Sequence, residues 1–234
     1  MVLALLDLLD PLPPIAGPSS RKFVMVLLFG SSKAMEDIFS DFFAELRRRV
    51  EVVHELSNER IVELMPSPDL VGILVTSRAI ADPDNAYILS KIAEYSKGGN
   101  VVFAGLFSVD LAIVEAKQLF FESWGFSWDL VNPGSTELVK TPQNQLTKKH
   151  QDFPEAIDEG KVALAGIEPT MAVYRPKGAS YWNSRTNNYR WSVIFADVGQ
   201  GHLGFIGYDH FDSHVQDVTL AMLGLQILRS NTRM

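Results

Sequence analysis

The hydrophobic residues in the first half of the chain fall into short unbroken runs, separated by longer amphipathic stretches. A continuous apolar run is typical of a strand that helices cover on both faces. The runs predict strands at residues 23–29, 51–56, 70–76 and 101–104. The amphipathic stretches predict helices at residues 33–49, 58–65, 82–97 and 109–122. This alternation predicts a doubly wound, mostly parallel α/β sheet with right-handed crossovers.

Local signals set the boundaries of the helix at 82–97. Asp82 followed by Pro83 is a good helix start, because an Asp side chain accepts a hydrogen bond from a free backbone amide and proline at the first position loses none. Gly98 and Gly99 end this helix. The strand that follows, at 101–104, is expected to lie in the middle of the sheet and to lead into a sharp turn.

The second half of the chain breaks this rhythm. Four prolines and a polar stretch at 143–152 predict a hairpin and irregular cover over one sheet edge. Beyond that cover, hydrophobic runs predict further regular elements. These are a strand at 171–175, a β-hairpin formed by 191–198 and 202–208 around Gly199-Gln200-Gly201, and a closing helix at 213–228.

Length and composition indicate one domain preceded by an arm. A chain of 234 residues with 47% hydrophobic content can bury one sizeable core, so residues 21–234 are interpreted as a single α/β domain. Residues 1–20 form the arm, which lacks the basic start of a signal peptide. Leu3, Leu6 and Leu9 can form a short amphipathic turn there. This turn would dock either on its own domain or on a partner subunit, which would make the protein a homo-oligomer.

The charge pattern and the absence of cysteine exclude several functions. The net charge is −7, and Lys and Arg are scattered apart from Arg47, Arg48 and Arg49, so we expect no nucleic-acid partner. The chain has no cysteine, which excludes disulfides, thiolate metal sites and thiol nucleophiles. No apolar run reaches the roughly 18 residues that a membrane helix needs. We therefore expect a soluble, cytoplasmic protein without membrane contact.

Three segments of the chain resemble the class I glutamine amidotransferase-like superfamily, and within it the ThuA-like (trehalose-utilisation) branch. They are YSKGGN at 95–100 before the strand at 101–104, the turn beyond that strand, and GQGHLGFIGYDHF at 199–211 followed by AMLGL at 221–225. The resemblance covers about residues 23–228. It implies a flavodoxin-like sheet with helices on both faces and a C-terminal β-hairpin plus helix.

The sequence departs from the amidotransferases at the catalytic position. That superfamily's glutamine-hydrolysing members carry a cysteine in the turn after the central strand, with His and Glu after a late strand. Here the turn holds Leu106 and Phe107, so thiol catalysis is excluded. The late position does keep polar residues, among them Asp209 and His210.

Polar residues follow several predicted strands, and in a parallel sheet such strand ends are where ligands bind. The candidate ligand-binding residues at these ends are Ser31, Ser77, Arg78 and Phe107, and the candidate catalytic residues are Ser108, Asp209 and His210. Ser and Asp at these junctions also have a simpler interpretation, since both commonly cap helices. A serine-hydrolase interpretation of Ser108 is disfavoured, because GLFSVD lacks the G-x-S-x-G pattern.

The segment from Asp209 to His214 contains two His and two Asp within six residues. Such a group could bind a divalent metal, or His210 oriented by an Asp could act as a general base. Alternatively, Asp212 or Ser213 caps the closing helix and His214 is solvated. We assign no metal here. No cofactor is expected either, because Gly30-Ser31-Ser32 is not followed by the second and third glycines of a dinucleotide-binding motif.

The segment 181–190, YWNSRTNNYR, combines aromatic faces with amide and guanidinium donors. This chemistry suits polyhydroxylated molecules, and Trp182 and Arg185 are candidate ligand contacts. Aromatic residues and Arg are also the usual anchors of protein interfaces, so both interpretations stay open. We expect three further aromatic residues to lie in the core rather than to form a surface on which a ligand stacks: Trp124, Phe126 and Trp128.

The sequence does not indicate a particular reaction, so whether the protein is an enzyme is left open. The leading hypothesis is a ThuA-like domain without thiol catalysis that binds a small polar, carbohydrate-like ligand at the strand carboxyl ends. Asp209 and His210 would supply any acid-base chemistry. The alternative is a catalytically inactive pseudoenzyme that acts as a protein-interaction or oligomerisation module.

Overall fold

The structure is a computed structural model that describes residues 21–29, 36–54, 56–107, 113–131, 137–158, 160–178 and 190–227. The strands within these residues are β1 (Phe23–Leu27), β2 (Glu51–Val53), β3 (Leu70–Val75), β4 (Asn100–Phe103), β5 (Asp129–Val131), β6 (Leu138–Lys140), β7 (Ala156–Ile157), β8 (Ala163–Ala165), β9 (Tyr174–Pro176), β10 (Val193–Val198) and β11 (Gly201–Ile206). The α-helices are α1 (Ser40–Arg49), α2 (Asn58–Leu64), α3 (Ala86–Tyr95), α4 (Ile113–Trp124), α5 (Gln145–Lys149) and α6 (Ser213–Met222).

A six-stranded sheet forms the centre of the domain, in the order β10-β11-β4-β3-β1-β2. Five neighbouring strands, from β11 to β2, run parallel, and β10 pairs antiparallel with β11 as the second half of a hairpin. The chain steps from β1 to one side for β2 and to the other for β3, as in flavodoxin-like sheets. The predicted fold class and the C-terminal hairpin plus helix are confirmed.

Helices cover both faces of this sheet. Successive strand side chains point to opposite faces, so Val24 and Val26 of β1 join one core while Met25 joins the other. The first core contains α1 and α6, and the second contains α2, α3 and α4. Because both faces are buried, β1 and β3 contain no polar side chain and β4 has only Asn100, which explains the unbroken apolar runs of the sequence.

Strand β4 lies inside the sheet, between β3 and β11. Val101 is aligned with Ile73 on one side and Leu203 on the other, and both pairings are parallel. The carboxyl ends of β4 and β11 therefore lie next to each other at one edge of the sheet. The expectation that the strand at 101–104 lies in the middle of the sheet is confirmed, and the turn carrying Asp209 follows its neighbour β11.

Two small sheets make up the predicted irregular cover. β6 pairs with β7 and β9, and β5 pairs with β8, all antiparallel. An isolated bridge between Ala172 and Ile194 places part of this cover along β10. Trp128 is buried beneath the cover, and Trp124 and Phe126 pack against the same core, as predicted. The strand predicted at 171–175 is displaced, because only Tyr174–Pro176 pairs as a strand.

Several predicted helix ends are wrong by a turn or more. Asp82 makes no side-chain cap; it lies between two 3-10 turns, Arg78–Ala81 and Pro83–Asn85, and α3 begins only at Ala86. The closing helix ends near Gly224, whose φ of +83° stops it before residue 228. These errors arise because capping signals give the neighbourhood of a helix end rather than its geometry.

Some predictions lie outside the described residues. They include the arm at 1–20 and its proposed contact with a partner subunit. The assignment of 21–234 to a single domain stays a prediction. Within the described ranges, no helix has both the length and the apolar character required to cross a bilayer.

Candidate functional site

An Asp–His pair lies just beyond the carboxyl end of β11. His210 Nδ1 is 2.9 Å from Asp209 Oδ1, and the two side chains are 55% and 39% exposed. Since a carboxylate can only accept, Nδ1 carries the proton of a neutral ring and its lone pair lies on Nε2. His210 Nε2 is 3.8 Å from Asp212 Oδ2, which is beyond a hydrogen bond. The pair therefore presents a solvent-accessible imidazole nitrogen that can accept a proton.

The residues on either side of the pair hold this turn in place. Tyr208 is buried, its hydroxyl donates to the carbonyl oxygen of Asp158, and its ring lies edge-on to His210 with centroids 5.7 Å apart. On the other side, the ring of Phe211 stacks on Phe42 of α1, with centroids 4.2 Å apart. The exposed pair is thus carried between two anchored aromatic residues.

Asp212 caps α6. Its Oδ1 accepts hydrogen bonds from the backbone N–H groups of His214 and Val215, at 2.8 and 2.9 Å. The capping interpretation of Asp212 is therefore confirmed, and this carboxylate is committed to the helix. Across the described parts of the chain, no group of three or more His, Asp or Glu side chains is arranged to hold a metal ion.

The predicted residues at the end of β3 have structural partners. Ser77 Oγ accepts a hydrogen bond from the N–H of Ala79 and caps the first 3-10 turn, so its capping role is observed. The guanidinium of Arg78 is half exposed and lies 3.8 Å from Glu115 Oε2 of α4. Arg78 can still donate toward solvent at this sheet edge, whereas the Ser77 hydroxyl oxygen already accepts from the backbone.

The turn after β4 is followed by an aromatic residue of the core. Gly105 adopts φ +66°, the chain turns, and Phe107 is completely buried. Its ring packs against Phe103, with centroids 4.5 Å apart. The expectation that Phe107 contacts a ligand is therefore corrected: its side chain belongs to the core, because the cluster of Phe103, Phe120 and Trp124 offers it an apolar place.

The remaining predicted residues, Ser31, Ser108, Trp182 and Arg185, lie outside the described residues. Their roles stay predictions. Arg190, the last residue of the segment 181–190, and the following Trp191 are described. Ser192 then accepts a hydrogen bond from the N–H of Gly207, so the chain returns from that segment next to the end of β11.

One charged cluster at the strand ends was not predicted. His54 follows β2, and its Nε2 lies 3.3 Å from Glu36 Oε1, which also pairs with Arg47. His54 Nδ1 is buried and has no hydrogen-bond partner among the described residues. No sequence pattern predicts this cluster, because Glu36 and His54 are 18 residues apart and lie on opposite sides of α1 in the chain.

The basic run Arg47 to Arg49 is neutralised by acidic partners. Arg47 pairs with Glu36, and Arg48 and Arg49 both pair with Glu45. Arg49 is largely buried, and it also donates to the carbonyl oxygen of Gln226. Two of these contacts join α1 to other parts of the chain: Arg47 pairs with Glu36, and Arg49 donates to Gln226.

The fold and site define a flavodoxin-like α/β domain without a thiol nucleophile. No protein family profile and no curated protein matches the sequence. Among solved structures, the chain is similar to one named as a ThuA-like protein from Bacteroides uniformis, at 11% identity and a TM-score of 0.49, over 92% of this chain and 94% of that one.

Two β-galactosidases are also similar in structure. One is from the Antarctic haloarchaeon Halorubrum lacusprofundi, with 14% identity, and the other is Gan42B, a GH42 enzyme, with 11% identity. Both give TM-scores of 0.47 over 87% of this chain. The chain spans only 30% of the length of each β-galactosidase.

Proposed function

We propose that the protein binds a small polar, carbohydrate-like ligand at the carboxyl ends of β4 and β11, and that His210 transfers a proton there. The observation that carries this proposal is the hydrogen bond between Asp209 and His210 at the edge of the sheet. A carboxylate that accepts from Nδ1 fixes the imidazole tautomer and leaves Nε2 available to accept a proton from a ligand.

The position of the pair supports this proposal. Ligands of open parallel sheets bind beyond the carboxyl ends of the strands. Asp209 and His210 follow β11, which is the direct neighbour of the interior strand β4. A ligand bound beyond β4 would therefore be within reach of the His210 ring, with Arg78 following the next strand along, β3.

The carbohydrate-like character of the ligand rests on the segment 181–190. Its Trp, Tyr, Asn and Arg residues suit a molecule with many hydroxyl groups, because amide and guanidinium groups donate to hydroxyl oxygens and aromatic rings cover apolar sugar faces. Ser192, just after this segment, is bonded to Gly207 at the end of β11. Ser192 thus lies at the sheet edge that carries the Asp–His pair.

The experiment compares three variants in ligand-dependent thermal stabilisation with trehalose, glucose and lactose as probes. His210→Asn keeps a donor near the position of Nδ1, and so the contact with Asp209, but removes Nε2. Asp209→Asn removes the charge that orients the ring. His214→Asn is the matched control, because His214 is an exposed histidine in the first turn of α6.

We expect at least one probe to stabilise the wild type and the His214→Asn control equally, and to stabilise His210→Asn much less. Equal stabilisation of wild type and His210→Asn would remove His210 from the site. No stabilisation of the wild type by any of the three sugars would contradict the carbohydrate-like ligand.

A second candidate function is a catalytically inactive module for protein interaction or oligomerisation. The burial of Phe107 favours it, because the turn that carries the nucleophile in amidotransferases is filled by the core. Three large apolar side chains, Ile38, Tyr87 and Phe121, are also more than half exposed. Light scattering across a concentration series tests this function, comparing the wild type with Leu6→Asp in the arm. A concentration-independent monomer in both would argue against it.

A further inference from the structure

The hydrogen bond between Asp209 and His210 orients the ring relative to the carboxylate, but it does not fix the direction of the pair relative to the sheet. Both side chains are largely exposed, and an exposed side chain gains little from its surroundings to offset the entropy lost when it is held in one rotamer. The direction of the imidazole therefore depends on how the backbone of the turn is held, and that backbone is anchored through its neighbours.

Phe211 is the anchor on the side of α1. Its ring lies almost parallel to that of Phe42, with a centroid distance of 4.2 Å and an interplanar angle of 12°. It also meets Phe39 edge-on, with centroids 4.9 Å apart. Phe39 and Phe42 are both nearly completely buried, so they present a fixed surface at the start of α1.

Phe211 and His210 are consecutive in the chain, so any movement of the Phe211 backbone turns the His210 side chain with it. Tyr208 holds the other side through its hydroxyl group and its edge-on contact with the His210 ring. Releasing Phe211 would leave the imidazole anchored on one side only. Stacked aromatic pairs have a preferred geometry, which an aliphatic side chain of similar size does not reproduce.

We propose that Phe211 is a positioning residue for His210: its stack on Phe42 fixes the direction of the His210 ring beyond the carboxyl end of β11. This inference rests on the proposed function for its consequence, but the positioning itself can be measured without any ligand. It also makes the start of α1 part of the site, through Phe42.

The test uses the full chain and nuclear magnetic resonance. The readouts are the nuclear Overhauser contact between the His210 and Tyr208 rings and the 15N chemical shifts of the His210 imidazole. Phe211→Leu keeps an apolar side chain but loses the stack, and Phe211→Tyr keeps a ring that can stack. Phe121→Leu is the control, because Phe121 is 58% exposed on α4.

We expect Phe211→Leu to lose the contact between the His210 and Tyr208 rings and to shift the Nδ1 resonance, while Phe211→Tyr and Phe121→Leu retain both signals. Phe42→Leu removes the same stack from the other side and should reproduce the Phe211→Leu result. Unchanged His210 signals in both folded leucine variants would overturn the proposal, since the stack would then be merely structural.

A ligand measurement separates this inference from the proposed function. If trehalose stabilises the wild type, we expect its dissociation constant to rise by up to about tenfold in Phe211→Leu, as expected for the loss of one aromatic stack. If Phe211→Leu disturbs the imidazole while His210→Asn binds the sugars like the wild type, the positioning holds and the proposed function fails.

Discussion

The ring of Phe107 packs against the ring of Phe103 at the end of the interior strand, with centroids 4.5 Å apart and planes tilted by 47°. Phe103 is the last residue of β4, and Phe107 comes two residues after the turn at Gly105. The turn therefore directs a side chain back into the core. This packing leaves Phe107 no exposed surface with which to contact a ligand.

The first prediction concerns the contribution of Phe107 to stability. Phe107→Ala removes a fully buried ring, and we expect the free energy of unfolding to fall by about 3–5 kcal/mol. Chemical denaturation measures this change. Phe121→Ala is the matched control, because Phe121 is 58% exposed and its loss should change stability by less than about 0.5 kcal/mol. Equal effects of the two substitutions would contradict the burial of Phe107.

The same position allows a functional prediction. Phe107→Cys introduces a thiol in the turn after β4, but apolar burial raises the pKa of a thiol and disfavours the thiolate. We expect no glutamine hydrolysis, measured as ammonia release, from the folded variant. Any glutamine-dependent ammonia release above the wild-type level would show that this turn can act as a nucleophile elbow.

The third prediction concerns Gly207, which joins β11 to the turn of the Asp–His pair. A Cβ at this position would overlap the carbonyl oxygen of Val162, and backbone cannot move aside cheaply. We expect Gly207→Ala to lower the free energy of unfolding by about 1–3 kcal/mol. The NMR signals of His210 should shift as well, since only two residues separate them.

Gly98→Ala is the matched control for this substitution. A Cβ at Gly98 meets no atom within 4 Å, and this residue does not have a positive φ. We expect its stability and its His210 signals to match the wild type. If Gly207→Ala kept the wild-type stability and His210 signals, Gly207 would not lie as close to Val162 as the structure indicates.

The fourth prediction concerns the cap of α6. Asp212→Ala leaves the N–H groups of His214 and Val215 without their acceptor, which should cost about 1 kcal/mol of unfolding free energy. Asp212→Asn retains an oxygen that can accept from both groups, so we expect it to keep most of the stability. Denaturation curves of the two variants decide this, and a stability loss as large in Asp212→Asn as in Asp212→Ala would argue for a role of the charge.

The fifth prediction concerns the pH dependence of stability through His202. Burial, opposed by Asp197 and reinforced by Lys149, holds the pKa of the His202 ring below its ordinary value of 6.5. The unfolded chain, with the ordinary pKa, therefore binds more protons than the folded chain just below pH 6.5. We expect the free energy of unfolding to fall as the pH drops from about 7 through 6.5 and below.

His202→Asn tests this assignment. An Asn amide can still donate to Asn100 Oδ1, which lies 3.0 Å from His202 Nδ1. The variant should be less sensitive to acid over this range. Burial also lowers the pKa of His150, so part of the pH dependence should remain and should disappear only when His150 is also replaced. The same slope in wild type and the double variant would contradict the assignment.

An element was predicted well where its sequence signal lies in consecutive residues, and poorly where it does not. The strands β1, β3 and β4 were predicted closely, because a strand covered on both faces must be apolar throughout and this pattern is visible in consecutive residues. The β10–β11 hairpin was predicted from Gly199 and Gly201, whose positions in a tight turn are also local. The ends of α3 and α6 were missed, since they depend on backbone geometry that no short motif fixes.

The candidate site shows the same division. Asp209 and His210 are adjacent in the chain and follow a strand, so their pairing could be expected from the sequence. For Asp212 the sequence left helix capping and metal binding as alternatives. Only its hydrogen bonds with the N–H groups of His214 and Val215 show that it is a cap. The cluster of Glu36 with His54 had no sequence signal at all, because its members come from separate elements.

The sequence by itself determined the class of fold, the strand that lies inside the sheet and the absence of a thiol nucleophile, since these follow from composition and from hydrophobic runs along the chain. Only the tertiary structure decided that Phe107 fills the core instead of facing a ligand, and that Phe211 lies on Phe42 beside the Asp–His pair. The physical reason is that an aromatic side chain can pack in a core, stack on another ring or line a binding site. Which of these it joins depends on the neighbours that distant parts of the chain bring to it.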